Sequence, residues 1–442
     1  MRQFRYLADL GNVRLLFNNY NKDLVIDAKP MNNCDAPQVP LVSYDDALSS
    51  LLSQVKATQT VEIKPLLETL SRILAQSIQS TINVPPADNS AMDGYAINTD
   101  DIATTGITKL SVSQRIAAGD VGQTLKLGTA ARIFTGAPIP PGANAVIMQE
   151  QVEAIADSIE FEVRPTNQQN IRPAGNDIKV NDNILDQGSL LRPQALGLAA
   201  SVGLQSLPVY QKIRVGIFFT GDELVEPGQA LAPGKIYDSN RYTLHGLLQK
   251  LGCEIVDLGL VGDTLEATKA AMLEATEKAD LVVTCGGVSV GEEDHVRIAL
   301  EQLGDLHLWR LAIKPGKPLA FGKINQTPFI GLPGNPVSVF ATFMLFVSPV
   351  IKTLQGRQWK KPTAIPVTAG FNWPKPDSRR EFLRARLEQD ESLGLVARIY
   401  SNQDSGVLTS TAWAQGFVEI AEGATVKTGN KINYLPFSEF FD

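Results

Sequence analysis

From Lys212 onward the apolar positions switch regularly between two rhythms. KIRVGIFF reads as a strand, and DSNRYTLHGLLQKLG as a helix with Leu244, Leu247, Leu248 and Leu251 on one face. CEIVDLGLV is a strand, TLEATKAAMLEATEK a helix and ADLVVTC a strand. DHVRIALEQLG follows as a helix and LHLWRLAI as a strand. NPVSVFATFMLFV closes the series as a helix, with Asn335 as N-cap and Pro336 in its first turn. Strands alternating with helices of this length specify a parallel sheet covered on both faces.

Upstream the rhythm is weaker. SYDDALSSLLSQVKA places Ala47, Leu51 and Val55 on one helical face, and IKPLLETLSRILAQSI continues in the same style after a break. NVPPADNSAMDGYAINTDDI is rich in Pro, Asp and Asn and reads as an extended segment leading into turns. From Ile107 to about Asp186, short apolar runs alternate with Gly, Pro and Asn clusters, a β-rich region with long loops. RPQALGLAASVGL returns to helical patterning, so one helical unit is expected from two pieces of chain with the β-rich region inserted between them. Short alternating runs from about Thr363 to Asp442 indicate a small all-β domain. The first thirty residues carry no pattern and no signal-peptide core, and are expected to be an extension outside the fold.

Composition narrows the class of function. A length of 442 residues suggests roughly three domains. A net charge of −7 lacks the basic face that nucleic acid requires. The 3 cysteines show no metal-ligand spacing and suit a reducing cytosol, and 3 histidines argue against a His-rich zinc site. The apolar run VSVFATFMLFVSPVI is shorter than the ~20 residues of a bilayer span, carries Pro349, and reads as a buried helix.

Ligands of an open α/β sheet bind outside the carboxyl ends of its strands. Three successive strand ends here carry acids: Asp222 and Glu223, then Asp263, then Glu292, Glu293 and Asp294. Each acid alone could instead cap the following helix. Right-handed crossovers put all three loops on one edge, which favours shared work. Gly286-Gly287 lets backbone N–H groups close on an anion. The next strand end supplies Lys314 and Lys317 around a Pro315-Gly316 turn of expected type II. Gly331, Pro333 and Gly334 then precede a helix N-terminus, where N–H groups favour phosphate. Magnesium takes a few carboxylates together with phosphate oxygens and water, so the pattern suits a phosphorylated ligand held through Mg²⁺. There is no GxxxxGK(S/T) loop, and no GxGxxG follows the first strand.

TGDEL, IYDSNRYTL, TCGGVSVGEEDHV, LAIKPGKPLAFG and GLPGNPVS together resemble the molybdopterin molybdenumtransferase family, the group that includes the C-terminal half of gephyrin. VPPADNSAMDGYA and RIFTGAPIPPGANAVIMQEQ extend the resemblance, which runs from about Val42 to the C-terminus. It implies a multidomain α/β fold: a three-layer molybdopterin-binding domain over 211–357, a β-rich domain inserted at 83–186, a helical linker domain from 41–82 and 187–210, and a C-terminal β-barrel-like domain over 358–442, with 1–40 as an extension. It also implies the last step of molybdenum cofactor synthesis, in which molybdate and adenylylated molybdopterin react with Mg²⁺ required and AMP released.

By the same resemblance Glu223, Asp263 and Asp294 form the catalytic and metal-holding acidic set, and Lys314 belongs to the anion-handling loop. Asp93 and Thr135 come from the opposing domain of a cytoplasmic homodimer. Gly286, Gly287, Ser289, Gly291, Lys317, Gly334, Asn335, Arg172 and Ser405 fall at substrate-binding positions. Arg310 stands where the family usually has lysine, and Asn176 where an acid is common. A molybdopterin adenylyltransferase and molybdoenzyme apoproteins are the implied partners, with neither nucleic acid nor membrane among them. The competing readings are an adenylyltransferase, which lacks the upstream segments, or a fusion of both steps, disfavoured by a single GGVS-type unit, and a non-catalytic molybdopterin-binding scaffold or carrier, disfavoured by an intact acidic set.

Overall fold

The structure is a computed structural model, and it describes residues 41–58, 60–287 and 294–441. The expected N-terminal extension over 1–40 lies outside the described residues.

A seven-stranded sheet organises the middle of the chain. Its strands are β1 (Leu41–Val42), β2 (Arg214–Thr220), β3 (Glu254–Val261), β4 (Leu281–Cys285), β5 (Asp305–Leu311), β6 (Pro318–Ile324) and β7 (Thr327–Leu332). They lie in the order β1-β5-β6-β7-β4-β2-β3. Strands β3, β2, β4 and β7 are parallel neighbours, whereas β6 runs antiparallel to both β5 and β7. The expected all-parallel sheet is therefore mixed. The cause is a two-residue turn at Asn325-Gln326, both at positive φ (50° and 73°). Such turns match strand twist and join antiparallel neighbours without a crossover helix. PLAFGKI and TPFIGL thus escape a reading built on strand–helix alternation.

Alternation along β2 divides the core. Val215, Ile217 and Phe219 face one layer, and Phe218 faces the other. The first layer holds α1 (Tyr44–Ser53), α2 (Asn240–Lys250) and α5 (Pro336–Leu354); the second holds α3 (Leu265–Lys278) and α4 (His295–Leu303). Among the described residues α5 alone is long and apolar enough to cross a membrane, but 89% of it is buried inside the protein. It is a core helix, as its composition suggested. A π-helical segment at Phe343–Val347 precedes Pro349. Widening the turn there accommodates a ring that otherwise meets the carbonyl one turn back.

Residues 41–53, expected with the linker, pack instead on this sheet. Ser43 caps α1 by accepting the Asp46 N–H at 3.1 Å, and Tyr44 stacks edge-on against Phe346 and Phe382. The linker unit does join two pieces of chain. Val61–Pro65 pairs antiparallel with Ser206–Tyr210, and Leu74, Leu191, Ala195, Ala199, Leu207 and Val209 form its core. It contains the helix Pro193–Ser201, whereas IKPLLETLSRILAQSI is a strand, a short 3-10 turn and bridges to Leu190 and Val209.

The inserted region forms a six-stranded sheet over Gly94–Phe161, and its chain ends meet where Val84 bridges Ile178. At the C-terminus, Arg380–Asp390, Gly394–Ile399, Ile365–Ala369, Lys431–Pro436 and Gly416–Ile420 pair in sequence and back to the first, closing a five-stranded barrel. The barrel locks onto the α/β layer through aromatic rings: Phe417 lies 4.9 Å from Phe437 and 6.3 Å from Phe340 of α5. Phe417 is fully buried. Phe417→Ala is expected to cost about 3–5 kcal/mol, seen as a lower urea midpoint; a loss below about 1 kcal/mol would show that the rings do not couple the two parts.

Candidate active site

The parallel arrangement of β3, β2, β4 and β7 sets their carboxyl ends side by side, as the acids at three strand ends required. Beyond that edge lies a cavity of about 850 Å³. One wall comes from the α/β edge and the other from the barrel loop at Gln403–Gly406.

Of the residues singled out in the sequence, Glu223, Gly286, Lys314, Lys317, Gly334, Asn335 and Ser405 line this cavity. Gly286 and Gly287 have φ of +87° and +64°. A Cβ on Gly287 would stand 2.5 Å from Val296 Cγ2, so glycine is needed there twice over. Gly334 approaches Gly286 closely enough that its own Cβ would lie 3.8 Å from the Gly286 Cα. Ser289 and Gly291, with Glu292 and Glu293, lie outside the described residues.

The acids divide between the two roles open to them. Asp294 is a helix cap, accepting the Arg297 N–H at 3.1 Å, and is nearly buried. Asp263 is not one, because Thr264 caps α3. Its Oδ1 instead accepts the Thr220 hydroxyl at 2.7 Å, and Thr220 lines the cavity. The Glu223 carboxylate folds back over Gly221, whose Cβ would meet Oε2 at 2.7 Å. Thus Thr220–Glu223 gathers Asp263 and Glu223 at one strand end.

The lysines differ. Lys317 is exposed at the rim and pairs with no acid among the described residues. The Lys314 ammonium is held 2.9 Å from Glu381 Oε1 and 3.5 Å from Asp377 Oδ2, both from the barrel. Glu381 is almost fully buried and also accepts the Trp373 indole N–H at 2.6 Å. Hydrogen bonds from Arg379 hold the Asp377 carboxyl down to about 2. Gly316 sits at φ +98°, the positive φ that the second central position of a type II turn asks for, and the peptide before Pro315 is cis. The backbone of Ile313–Lys314 pairs with Arg380–Glu381, which carries the loop to the barrel.

At the α5 N-terminus the expected anion site is partly used internally. Asn335 makes no side-chain cap. Its Nδ2 donates to Ser405 Oγ at 3.0 Å, and the Val337 N–H donates to the Ser405 carbonyl at 3.0 Å. Arg384 fixes the loop from behind, donating from Nε to Ser410 Oγ and from Nη2 to the Asp404 carbonyl. Burial pushes its pKa down to about 10. Sequence reading missed Arg384, Asp377, Arg379 and Glu381, which sit in a barrel strand or the loop before it with no motif to mark them. It also passed over Asp238 and Asn240, although both stand inside a motif it used and both line the cavity.

Asp93, Thr135 and Arg172 are carried by the inserted region and do not line this cavity. Asp93 and Thr135 do meet: the Thr135 N–H and hydroxyl each reach Asp93 Oδ1 at 2.8 Å and hold its carboxyl below the usual range. A Cβ on the adjacent Gly94 would lie 1.8 Å from the Ile147 carbonyl oxygen, so glycine seats Asp93 at the start of its strand. Arg172 pairs through its backbone with Asn89.

Lys314→Met is expected to cost about 1–3 kcal/mol by leaving the Glu381 carboxylate buried without its cation. Adding Glu381→Gln, which can still accept from Trp373, should recover most of that loss. Denaturant titration of the single and double variants reads the difference, and a double variant no more stable than Lys314→Met would refute the pairing as its source.

Family models match three stretches: the MoeA N-terminal region (domains I and II) at 42–203, a probable molybdopterin binding domain at 216–353, and the MoeA C-terminal region (domain IV) at 366–437. A molybdopterin molybdenumtransferase of Haemophilus influenzae is 42% identical over 402 residues, covering 90% of this chain and 99% of that protein. One from Bacillus subtilis is 32% identical over 409 residues, covering 90% and 94%. The crystal structure of a molybdopterin biosynthesis MoeA protein from Pyrococcus horikoshii superposes with a TM-score of 0.79 at 31% identity, covering 90% of this chain and 100% of that one.

Proposed function

The chain belongs to the MoeA family of molybdopterin molybdenumtransferases, enzymes that insert molybdenum into molybdopterin, and from that premise we propose that adenylylated molybdopterin and molybdate are its substrates, that Mg²⁺ is required and that AMP is released. The observation that carries this reading is the cavity itself, where Glu223 stands with Lys317 and the backbone of Gly286 and Gly334 at one sheet edge.

The donor set fits Mg²⁺. Among the described residues no group of three His, Cys, Asp or Glu side chains is spaced to hold a metal ion. Magnesium does not ask for one, since one or two carboxylates suffice when phosphate oxygens and water complete the shell. Glu223 and Asp263, at the end of β2 and held there in part by Thr220, would hold it, with the charge of the helix-capping Asp294 in support. Bound there, the ion supplies Lewis-acid polarisation of the phosphoanhydride.

The chain's own residues then divide the remaining work. The Thr220 hydroxyl orients the Asp263 carboxylate. Lys317 and the Gly334 N–H ahead of α5 hold charge on phosphate and molybdate oxygens. Lys314 stands poised between two carboxylates, so an arriving anion draws on an ammonium already fixed in place. Asp93, Thr135 and Arg172 act on the cavity of a second, cytoplasmic copy, which accounts for a bonded Asp93–Thr135 pair set apart from the cavity of its own chain. Molybdopterin adenylyltransferase would deliver the substrate, and molybdoenzyme apoproteins would receive the product.

AMP release by the purified protein, given adenylylated molybdopterin, Mg²⁺ and molybdate, tests the reaction. Asp294→Asn keeps the helix cap, because Asn and Asp cap equally well, but removes the charge. It is expected to lower molybdate-dependent release at least tenfold without lowering the melting temperature. Binding without release in the wild type would leave a carrier or scaffold. Shared sites give a second expectation. Mixing inactive Asp93→Ala and Asp294→Asn chains should restore about a quarter of wild-type activity, through heterodimers holding one intact site; no recovery after confirmed exchange would place each site within one chain.

A further inference from the structure

One wall of the cavity carries hydrogen-bond acceptors that nothing in the described residues answers. Asp238 lines the cavity and is 1% exposed. Its Oδ1 accepts the Arg241 N–H at 3.1 Å, while its Oδ2 is buried with no partner. Two residues on, Asn240 Nδ2 donates to the Gly334 carbonyl at 2.7 Å, which sets the orientation of that amide. Its Oδ1 then points elsewhere and is likewise buried and unpartnered. Buried acceptors are nearly always satisfied, so two orphans within three residues, both on the lining of one cavity, mark the place of a ligand's donors.

The chemistry of that ligand group follows from the surroundings. Elsewhere the cavity offers the Lys317 ammonium and the Gly334 backbone ahead of α5, and these serve phosphate and molybdate oxygens. An acceptor pair repels such oxygens. It complements a heterocycle edge that presents N–H groups side by side. Adenine presents one exocyclic amino group flanked by ring acceptors. The aminopyrimidinone ring of a pterin presents a ring N–H beside its 2-amino group, a donor–donor edge.

We propose that Asp238 and Asn240 are specificity-determining residues that read the donor–donor edge of the pterin. The proposal rests on the cavity being the molybdopterin site, as argued above. It also orients the substrate: pterin against the segment that opens α2, and phosphate toward Gly286, Gly334 and Lys317. In place of the absent donors, Asp238 in the free protein keeps a carboxyl that burial pushes above its ordinary range. A ligand's N–H groups restore the environment that an ionised carboxylate needs.

The test uses the full chain and three stable probes: neopterin, the matching 2,4-dioxo lumazine, and AMP, each titrated by calorimetry. The wild type is expected to bind neopterin on the order of tenfold more tightly than the lumazine, whose carbonyl replaces the 2-amino group. Asp238→Asn, nearly isosteric, puts an amide N–H where Oδ2 stood while its remaining oxygen still accepts from Arg241. It should weaken neopterin on the order of 10- to 100-fold, improve the lumazine, and leave AMP unchanged. Equal weakening of neopterin and lumazine would reduce Asp238 to a structural cap. Weakening of AMP alone would assign the acceptors to adenine. A wild type that prefers the lumazine overturns the proposal without need of any variant. Should AMP release proceed normally while neopterin and lumazine bind alike, this inference fails and the proposed reaction stands; absent release with intact discrimination has the opposite meaning.

Discussion

The pairing of Ile313–Lys314 with Arg380–Glu381 is the constraint on which the rest depends. It is a short parallel pairing, too small to matter for backbone stability alone, but it joins the open sheet to the closed barrel. The two also share one hydrophobic core, in which Phe382 and Phe417 of the barrel pack with α5, and the ladder acts together with it. The ladder sets the register, the Lys314–Glu381 ion pair fills the polar space beside it, and Phe417 with its ring neighbours removes water behind it. Only then does the Gln403–Gly406 loop stand opposite Gly286 and Gly334. The cavity is thus a product of docking rather than a feature of either part.

That origin explains its division of polar groups. Most charges near it are already matched: Asp377 with Arg379, Lys314 with Glu381, Arg384 with the Asp404 carbonyl. Such matching keeps buried charge tolerable and holds the loops rigid. Against that background, the unanswered groups stand out as those kept for something other than the fold. Lys317 is one kind, an exposed cation at the rim. Asp238 Oδ2 and Asn240 Oδ1 are the other, and burial makes their lack of partners more informative.

Legibility in the sequence followed the range of the interactions. The β2–α2–β3–α3–β4 succession was readable because each element carries its own apolar period and the crossover between parallel strands has one hand. The acids at strand ends were readable for the same reason: Thr220 at the end of β2 holds Asp263, and Glu223 follows three residues later. Strands β6 and β7 were not, because their hairpin depends on two residues at positive φ that are neither Gly nor the usual Asn-Gly pair. IKPLLETLSRILAQSI looked helical by composition, yet its Leu74 is buried by Val209 and Leu191 from far along the chain, and tertiary contact overrode local preference. Glu381 and Arg384 were invisible since an alternating strand such as REFLRAR shows which residues face inward but not what they meet. The Asp238 motif was visible as a resemblance, while the missing partner that gives it meaning exists only in three dimensions.

The Val61–Pro65 and Ser206–Tyr210 ribbon has a consequence for how the chain acquires its shape. During synthesis its first strand emerges long before its second, and it has nothing to pair with until the whole inserted region has been made. Closing so distant a contact costs entropy that grows with the length of free chain between the ends. Folding of the insertion removes that length, because its own ends meet where Val84 bridges Ile178. The insertion therefore acts as a clasp in time as well as in space: once it has folded, two strands remote in sequence become neighbours, and the ribbon closes almost as a local event.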